Sequence, residues 1–247
     1  MQTAGKAGVS AAEIARFDAL AAQWWDPSGP MRPLHAMNRL RTEWVLARVQ
    51  ARFKGPVRLL DVGCGGGLAA ETFARAGHAV LGLDAAGRAI EAGRTHAAGR
   101  GLALEYRCGL AADLLGEGAR FAVVTALEVL EHVPEPRAFL AELAGLLAPG
   151  GLLFVSTLNR TARSFAVAKL GAEYVLRLLP AGTHDWRKFV TPAELGAGMR
   201  AAGLRLDDIT GMVPNVLRGG WRASRDTGMN YLAMAAAAGG AAAARMP

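Results

Sequence analysis

Apolar positions along this chain fall into two rhythms that take turns. Short, nearly continuous apolar runs suit strands buried on both faces: VRLLDVG, HAVLGLD, LEYRCG, FAVVTAL and GLLFVSTL, with LRLDDITGM further on. Between them lie stretches with helical spacing: LAAETFARAG closing on Gly77, AGRAIEAGRTHAAGRG, PRAFLAELAGLLA and TPAELGAGMRAAG. Strands separated by helices predict a mostly parallel sheet with right-handed crossovers and helices on both faces. Ahead of this alternation, AAEIARFDALAAQWWD predicts a helix closing on Trp24 and Trp25 before the breaker PSGP. A second helix is expected from about residue 37 to 53.

Two segments interrupt the pattern. Residues 159–190 are long for a connection inside a compact α/β domain, which points to a functional lid. The ending AMAAAAGGAAAARMP has low complexity, and its Gly pair weakens any helix the alanines would form, so residues 232–247 are expected to be a disordered tail. The expected organisation is a helical cap over 1–36, one domain over 37–231 and that tail.

Composition narrows the class. The 247 residues are 52% hydrophobic and 20% charged, enough for one domain with a proper core. A net charge of +7 favours an anionic contact. The basic residues form no long run and have few aromatic neighbours, so a membrane surface or a small acidic ligand is expected and nucleic acid is not. Two cysteines, Cys64 and Cys108, suit a reducing compartment, and neither an apolar signal core nor an 18-residue apolar run occurs. The expectation is a cytoplasmic protein with peripheral attachment to the inner face of the cell membrane.

LLDVGCGGGL places Gly63, Gly65, Gly66 and Gly67 between the first strand and a helix, where a missing Cβ lets the backbone approach a ligand. The dinucleotide fingerprint G-x-G-x-x-G wants a small third residue, and counting from Gly63 puts Leu68 there, so NAD fits poorly. Asp61, two residues before Gly63, makes D-x-G-x-G-x-G, which resembles the pattern of class I methyltransferases that use S-adenosylmethionine. Asp84 ends the second strand 21 positions after Gly63; it suits both ribose hydroxyls of an adenosine, a role that can coexist with the N-cap of the next helix. Asp113, after the third strand, suits an adenine edge or an ordinary turn.

FDALAAQWWD, PLHAMNRLR, LLDVGCGGG, VVTALEVLEHVP, FVSTLNR, GAEYVLRLLPAGTHDWRKFVTPAEL and DTGMNY, in that order over residues 13 to 231, together resemble the ubiquinone biosynthesis O-methyltransferase family. The resemblance implies a Rossmann-like class I methyltransferase fold with seven strands, an N-terminal helical cap and an inserted lid. It also implies S-adenosylmethionine-dependent methylation of a polyprenyl hydroxyphenol and of demethylubiquinol, with a ubiquinone biosynthetic complex as a partner. By motif position the cofactor contacts fall on Arg41, Gly63, Asp84 and Leu127, and a guanidinium at Arg41 has the chemistry to pair with the methionine carboxylate. Ala122 stands where many relatives have an acid, and Leu127 where the family has methionine.

EVLEHV is the candidate catalytic segment. If a helical turn starts there, Glu128, Glu131 and His132 stand at i, i+3 and i+4 on one face, just beyond the fourth strand. Methyl transfer from a sulfonium needs in-line geometry and a deprotonated phenol, whose free pKa is near ~10. The three residues suit that need as ligands of a divalent cation, for which the resemblance favours Mg, or with His132 as a general base oriented by a glutamate. They also suit an ordinary helix start that welcomes negative charge.

In the inserted segment, Val167, Leu170, Tyr174 and Leu178 recur at helical spacing beside Arg163, Lys169 and Arg177. Residues 162–179 therefore read as a packed lid helix or as an interfacial helix on anionic lipid. His184 and Trp186 in GTHDWRKF are candidate substrate-side residues with Tyr174. The alternatives are methylation of another small amphipathic phenol, and a cofactor-binding subunit without turnover.

Overall fold

The structure, a computed structural model, describes residues 9–165, 186–215 and 220–237. The chain begins with helix α1 (Ala11–Leu20), whose N-cap Ser10 accepts a hydrogen bond from Glu13 N–H at 3.3 Å. A 3-10 turn, Ala21–Gln23, carries it to Trp24, and α2 (Arg32–Arg52) follows with a proline in its first turn. The second helix thus starts five residues earlier than its apolar spacing suggests.

The alternation then runs as expected, apart from a short α5 that no helical spacing announced: β1 (Arg58–Val62), α3 (Leu68–Arg75), β2 (Ala79–Asp84), α4 (Gly87–Ala97), β3 (Leu104–Cys108), α5 (Ala111–Gly116), β4 (Phe121–Leu127), α6 (Pro136–Gly145) and β5 (Leu147–Leu158). Within the insertion lies a short α7 (Ala162–Phe165), and beyond it come α8 (Pro192–Ala201), β6 (Leu204–Pro214), β7 (Trp221–Ser224) and β8 (Asn230–Ala237). One sheet collects all eight strands in the order β3-β2-β1-β4-β5-β8-β6-β7. The first five are parallel, and β8 runs antiparallel between β5 and β6.

Period-two alternation explains the two cores. Leu60, Val124 and Leu153 face one side and pack with Leu114 of α5, Phe139 and Leu143 of α6, and Leu195 and Met199 of α8. Leu59, Val123 and Phe154 face the other, against Trp44, Val45 and Val49 of α2 and Phe73 of α3. Helix α2 is further pinned to β6: Trp44 Nε1 donates to Thr210 Oγ1 at 3.1 Å, and Arg48 Nε donates to Asp208 Oδ2 at 2.8 Å while its guanidinium lies over the Trp44 ring. A third, smaller cluster joins Trp24, Leu68, Ala86 and Ala89 to Ile14, Phe17 and Leu20, seating the N-terminal cap on α3 and α4.

The structure departs from the expected plan in the sheet and at the start of the tail. The sheet has eight strands, the short edge strand β7 having been unforeseen. Residues 232–237, expected to begin a tail, form most of β8, and Leu232, Ala233 and Ala235 are fully buried. Alanine favours helix when alone, but between two existing strands its backbone groups gain two ladders and its small side chain fits beneath packed helices. Of the lid, only residues 159–165 and 186–190 lie among the described residues; Val167, Lys169, Leu170, Tyr174, Arg177, Leu178 and His184 lie outside them.

Strand β8 makes a direct prediction. Leu232→Ala should lower stability by about 2–5 kcal/mol, read as a shift of the urea midpoint at constant slope, whereas a tail residue would leave the midpoint in place.

Candidate active site

The order β3-β2-β1-β4-β5 reverses direction of assembly between β1 and β4, and the crevice beyond their C-terminal ends is where open α/β sheets bind ligands. The glycine loop lies there. Gly65 has φ +53°, and a Cβ on it would overlap the Trp24 indole, so both its conformation and its neighbour demand glycine. At Gly63 a Cβ would stand 2.5 Å from Val129 Cγ2, which places the loop in direct contact with the EVLEHV segment.

Asp84, at the end of β2, is largely buried; its Oδ2 accepts from Gly65 N–H and its Oδ1 from Ala86 N–H, both at 2.8 Å. Burial raises its pKa against these two donors. It ties the loop to the turn before α4 but does not cap that helix. The cap comes from Asp18 of α1, whose Oδ1 accepts from Arg88 N–H at 2.8 Å. Asp113 behaves as a first-turn acid of α5, its Oδ2 accepting from Leu110 N–H at 3.0 Å.

Arg41 is buried on α2, where its Nη2 donates to Asn38 Oδ1 at 3.3 Å and its Nε meets no hydrogen-bond partner among the described residues. Desolvation lowers its pKa, against the fields of Glu128, Asp61 and Glu131. Asp61 is pushed up to about 6 by burial, although Thr125 Oγ1 donates to it at 2.6 Å and Arg41 stands near. Leu127, at the end of β4, packs in the same core as Cys64 of the loop. A glycine cradle, an acid at the tip of β2 and a buried guanidinium with an unmet donor fit the ribose and carboxylate of S-adenosylmethionine.

The EVLEHV segment is not the helical face that its spacing predicts. Glu128 is the only non-glycine residue with positive φ among the described residues, at 60°, and sits before a 3-10 turn over Leu130–His132. That left-handed backbone lets its N–H reach both the carbonyl and the hydroxyl of Ser156, at 3.0 and 3.1 Å. Its carboxylate is held from two strands: Ser156 Oγ donates to Oε1 at 2.7 Å and Asn230 Nδ2 to Oε2 at 3.1 Å. Glu131 is buried, accepts from Thr157 Oγ1 at 2.8 Å, and has its pKa pushed up to about 7 by burial and then by the Glu128 charge. His132 Nδ1 lies 3.3 Å from Glu13 Oε2 of α1, and Phe17 meets the ring edge-on. Burial alone would lower the His132 pKa; the Glu13 and Glu131 carboxylates outweigh it and raise it.

The expected three-ligand metal set therefore does not assemble: among the described residues no group of three His, Cys, Asp or Glu side chains is arranged to hold an ion. Left-handed Glu128 turns to β5 and β8, and His132 turns to α1. Trp186, expected on the substrate side, donates from Nε1 to Thr161 O at 3.0 Å and packs against Phe165, so it joins the two ends of the insertion. Ser156, Thr157, Asn230, Asp18 and Glu13 escaped sequence reasoning. For Glu13 a signal existed, since Glu13 and Phe17 stand at i and i+4 on one helix face.

A methyltransferase-domain family model matches residues 34–209. The chain is 47% identical over 241 residues to the ubiquinone biosynthesis O-methyltransferase of Parvibaculum lavamentivorans, covering 94% of this chain and 95% of that one. It is 48% identical to the protein of the same name from Azorhizobium caulinodans, with the same coverage, and 48% identical over 224 residues to that of Xanthomonas axonopodis pv. citri, covering 90% and 92%. Among solved structures it shares its fold with the magnesium protoporphyrin IX methyltransferase of Synechocystis PCC 6803. With S-adenosylhomocysteine bound, that protein gives a TM-score of 0.65 at 20% identity, over 91% of this chain and 99% of the other. With a methyltransferase domain over most of its length and relatives matched almost end to end, this chain belongs to the ubiquinone biosynthesis O-methyltransferase family of S-adenosylmethionine-dependent enzymes.

Proposed function

We propose that this enzyme methylates a phenolic oxygen of polyprenylated catechol intermediates of ubiquinone, a 2-polyprenyl-6-hydroxyphenol and a 3-demethylubiquinol, by in-line transfer from S-adenosylmethionine. The observation that carries the reading is the buried acid and imidazole group at the tip of β4, in contact with the glycine loop through Val129 and Gly63. The relatives' shared name supports the substrate class.

Sulfonium transfer expels a neutral thioether, so the chain's residues have three tasks: to align the reactants, exclude water and take the phenol proton. Gly63, Gly65, Asp84 and Arg41 are assigned to the cofactor, with Asp61 behind the loop and Leu127 as an apolar wall. His132 is assigned as the base. Glu131, whose pKa of about 7 lies close to neutrality, stabilises the imidazolium as it forms. A divalent cation, the other reading of EVLEHV, keeps only the neighbouring Glu128 and Glu131 carboxylates as support, because His132 is engaged by Glu13.

Among the described residues no helix is long and apolar enough to cross a membrane. A polyprenyl substrate nevertheless resides in the bilayer, and we assign residues 162–179, with Arg163, Lys169 and Arg177, to contact with anionic lipid at the cytoplasmic face, where a biosynthetic complex would also be met. Flotation of the protein with vesicles should require anionic lipid; equal absence from neutral and anionic vesicles would remove this assignment.

His132→Gln and Glu131→Gln should each lower kcat by about 10²- to 10⁴-fold with calorimetric cofactor affinity unchanged. Normal turnover of both in chelator-treated buffer would sink the base and the metal readings together. Because the base must be neutral and its pKa is raised, kcat should climb with pH through an inflexion above 6.5, the ordinary imidazole value, and then level off. Asp84→Asn should weaken cofactor binding about 10- to 100-fold by calorimetry, since it removes a charge-assisted contact to the ribose.

A further inference from the structure

Helix α1 reaches His132 with two residues one turn apart. Glu13 Oε2 lies 3.3 Å from His132 Nδ1, and the Phe17 and His132 ring centroids are 5.3 Å apart with planes at 86°. Positions i and i+4 share one helix face, so a single rigid element sets both contacts. That element is itself held in place. Ser10 caps its start, Asp18 binds the first turn of α4, and Ile14, Phe17 and Leu20 pack with Trp24 and Ala89. The Glu13 and His132 side chains are only 16% and 13% exposed. A carboxylate withdrawn from water on an N-terminal helix needs a cationic or donating partner; Glu13 Oε2 has no hydrogen bond among the described residues, and the charges it faces are the His132 ring at 3.3 Å and Arg16 at 3.7 Å.

A carboxylate has no hydrogen to give. The field of the facing carboxylate favours the proton of the neutral ring on Nδ1, which leaves the lone pair on Nε2. We propose that Glu13 is a positioning residue for His132, fixing the ring's orientation and tautomer, so that the N-terminal helix completes the active site as well as covering it. This rests on the assignment of His132 as the base.

The full-length enzyme tests it with Glu13→Gln, Glu13→Asp, His132→Gln and the Glu13→Gln/His132→Gln double variant. Glu13→Gln should lower kcat about 10- to 100-fold, with KM for cofactor and phenol changed less than about twofold. Glu13→Asp should recover part of that loss, and Glu13→Gln should cost nothing further when His132 is already Gln. Wild-type turnover by Glu13→Gln alongside an inactive His132→Gln overturns the positioning role alone, as does an additive loss in the double variant. Wild-type turnover by His132→Gln overturns the base assignment and this role with it. A measurement that needs no Glu13 variant to fold is the nitrogen-15 spectrum of histidine-labelled wild type, with the His132 signals identified by their loss in His132→Gln. The neutral ring should carry its proton on Nδ1, and a proton on Nε2 overturns the proposal.

Discussion

Three carboxylates, Asp61, Glu128 and Glu131, share the field of one buried cation, Arg41, at the tips of the parallel strands. Charges taken out of water at this density are tolerable only when donors surround them. The donors come from three strands of the sheet: Thr125 from β4 for Asp61, Ser156 from β5 and Asn230 from β8 for Glu128, and Thr157 from β5 for Glu131. The rest of the site depends on that requirement. It explains why Glu128 accepts a left-handed backbone that brings its N–H and its carboxylate to the same serine.

The N-terminal cap meets the same crevice from the other side. Trp24 lies on Gly65 and Gly66, Asp18 caps α4, and Glu13 engages His132. Trp25 stacks on His96, which in turn bonds the fully buried Glu71 of α3 at 2.5 Å, with Arg75 on that carboxylate's other oxygen. The cap is thus joined to α4 and to the EVLEHV turn by polar contacts at specific atoms, on top of its apolar seat. A helix attached in this way carries its position to the glycine loop and to His132.

Much of this was legible along the chain because it is encoded locally. Strand and helix periods, glycines between β1 and α3, an acid at the end of β2 and an acidic, imidazole-bearing segment beyond β4 are all patterns within a few residues of each other. The failures share a cause as well. The alanines of β8 read as a tail because their partners are distant in sequence: Val155 and Ile209, which flank Ala233 in the sheet, lie 78 and 24 positions earlier. A capping role stood open for Asp84 beside the ribose role because nothing nearby in sequence announced Asp18, and the spacing of Glu128, Glu131 and His132 suited a helix that the pull of Ser156 and Asn230 undoes.

By itself, then, the sequence determined the layer architecture, the location of the cofactor crevice and the residue types available for chemistry there, because hydrophobic period and turn chemistry act over short stretches. The tertiary structure alone decided which partner each ionisable group meets. Glu128 faces β8, Glu131 faces Thr157, and His132 faces a glutamate 119 positions earlier. Such pairings are settled by the field and the donors around a buried charge, and those arrive only when distant segments are folded against one another.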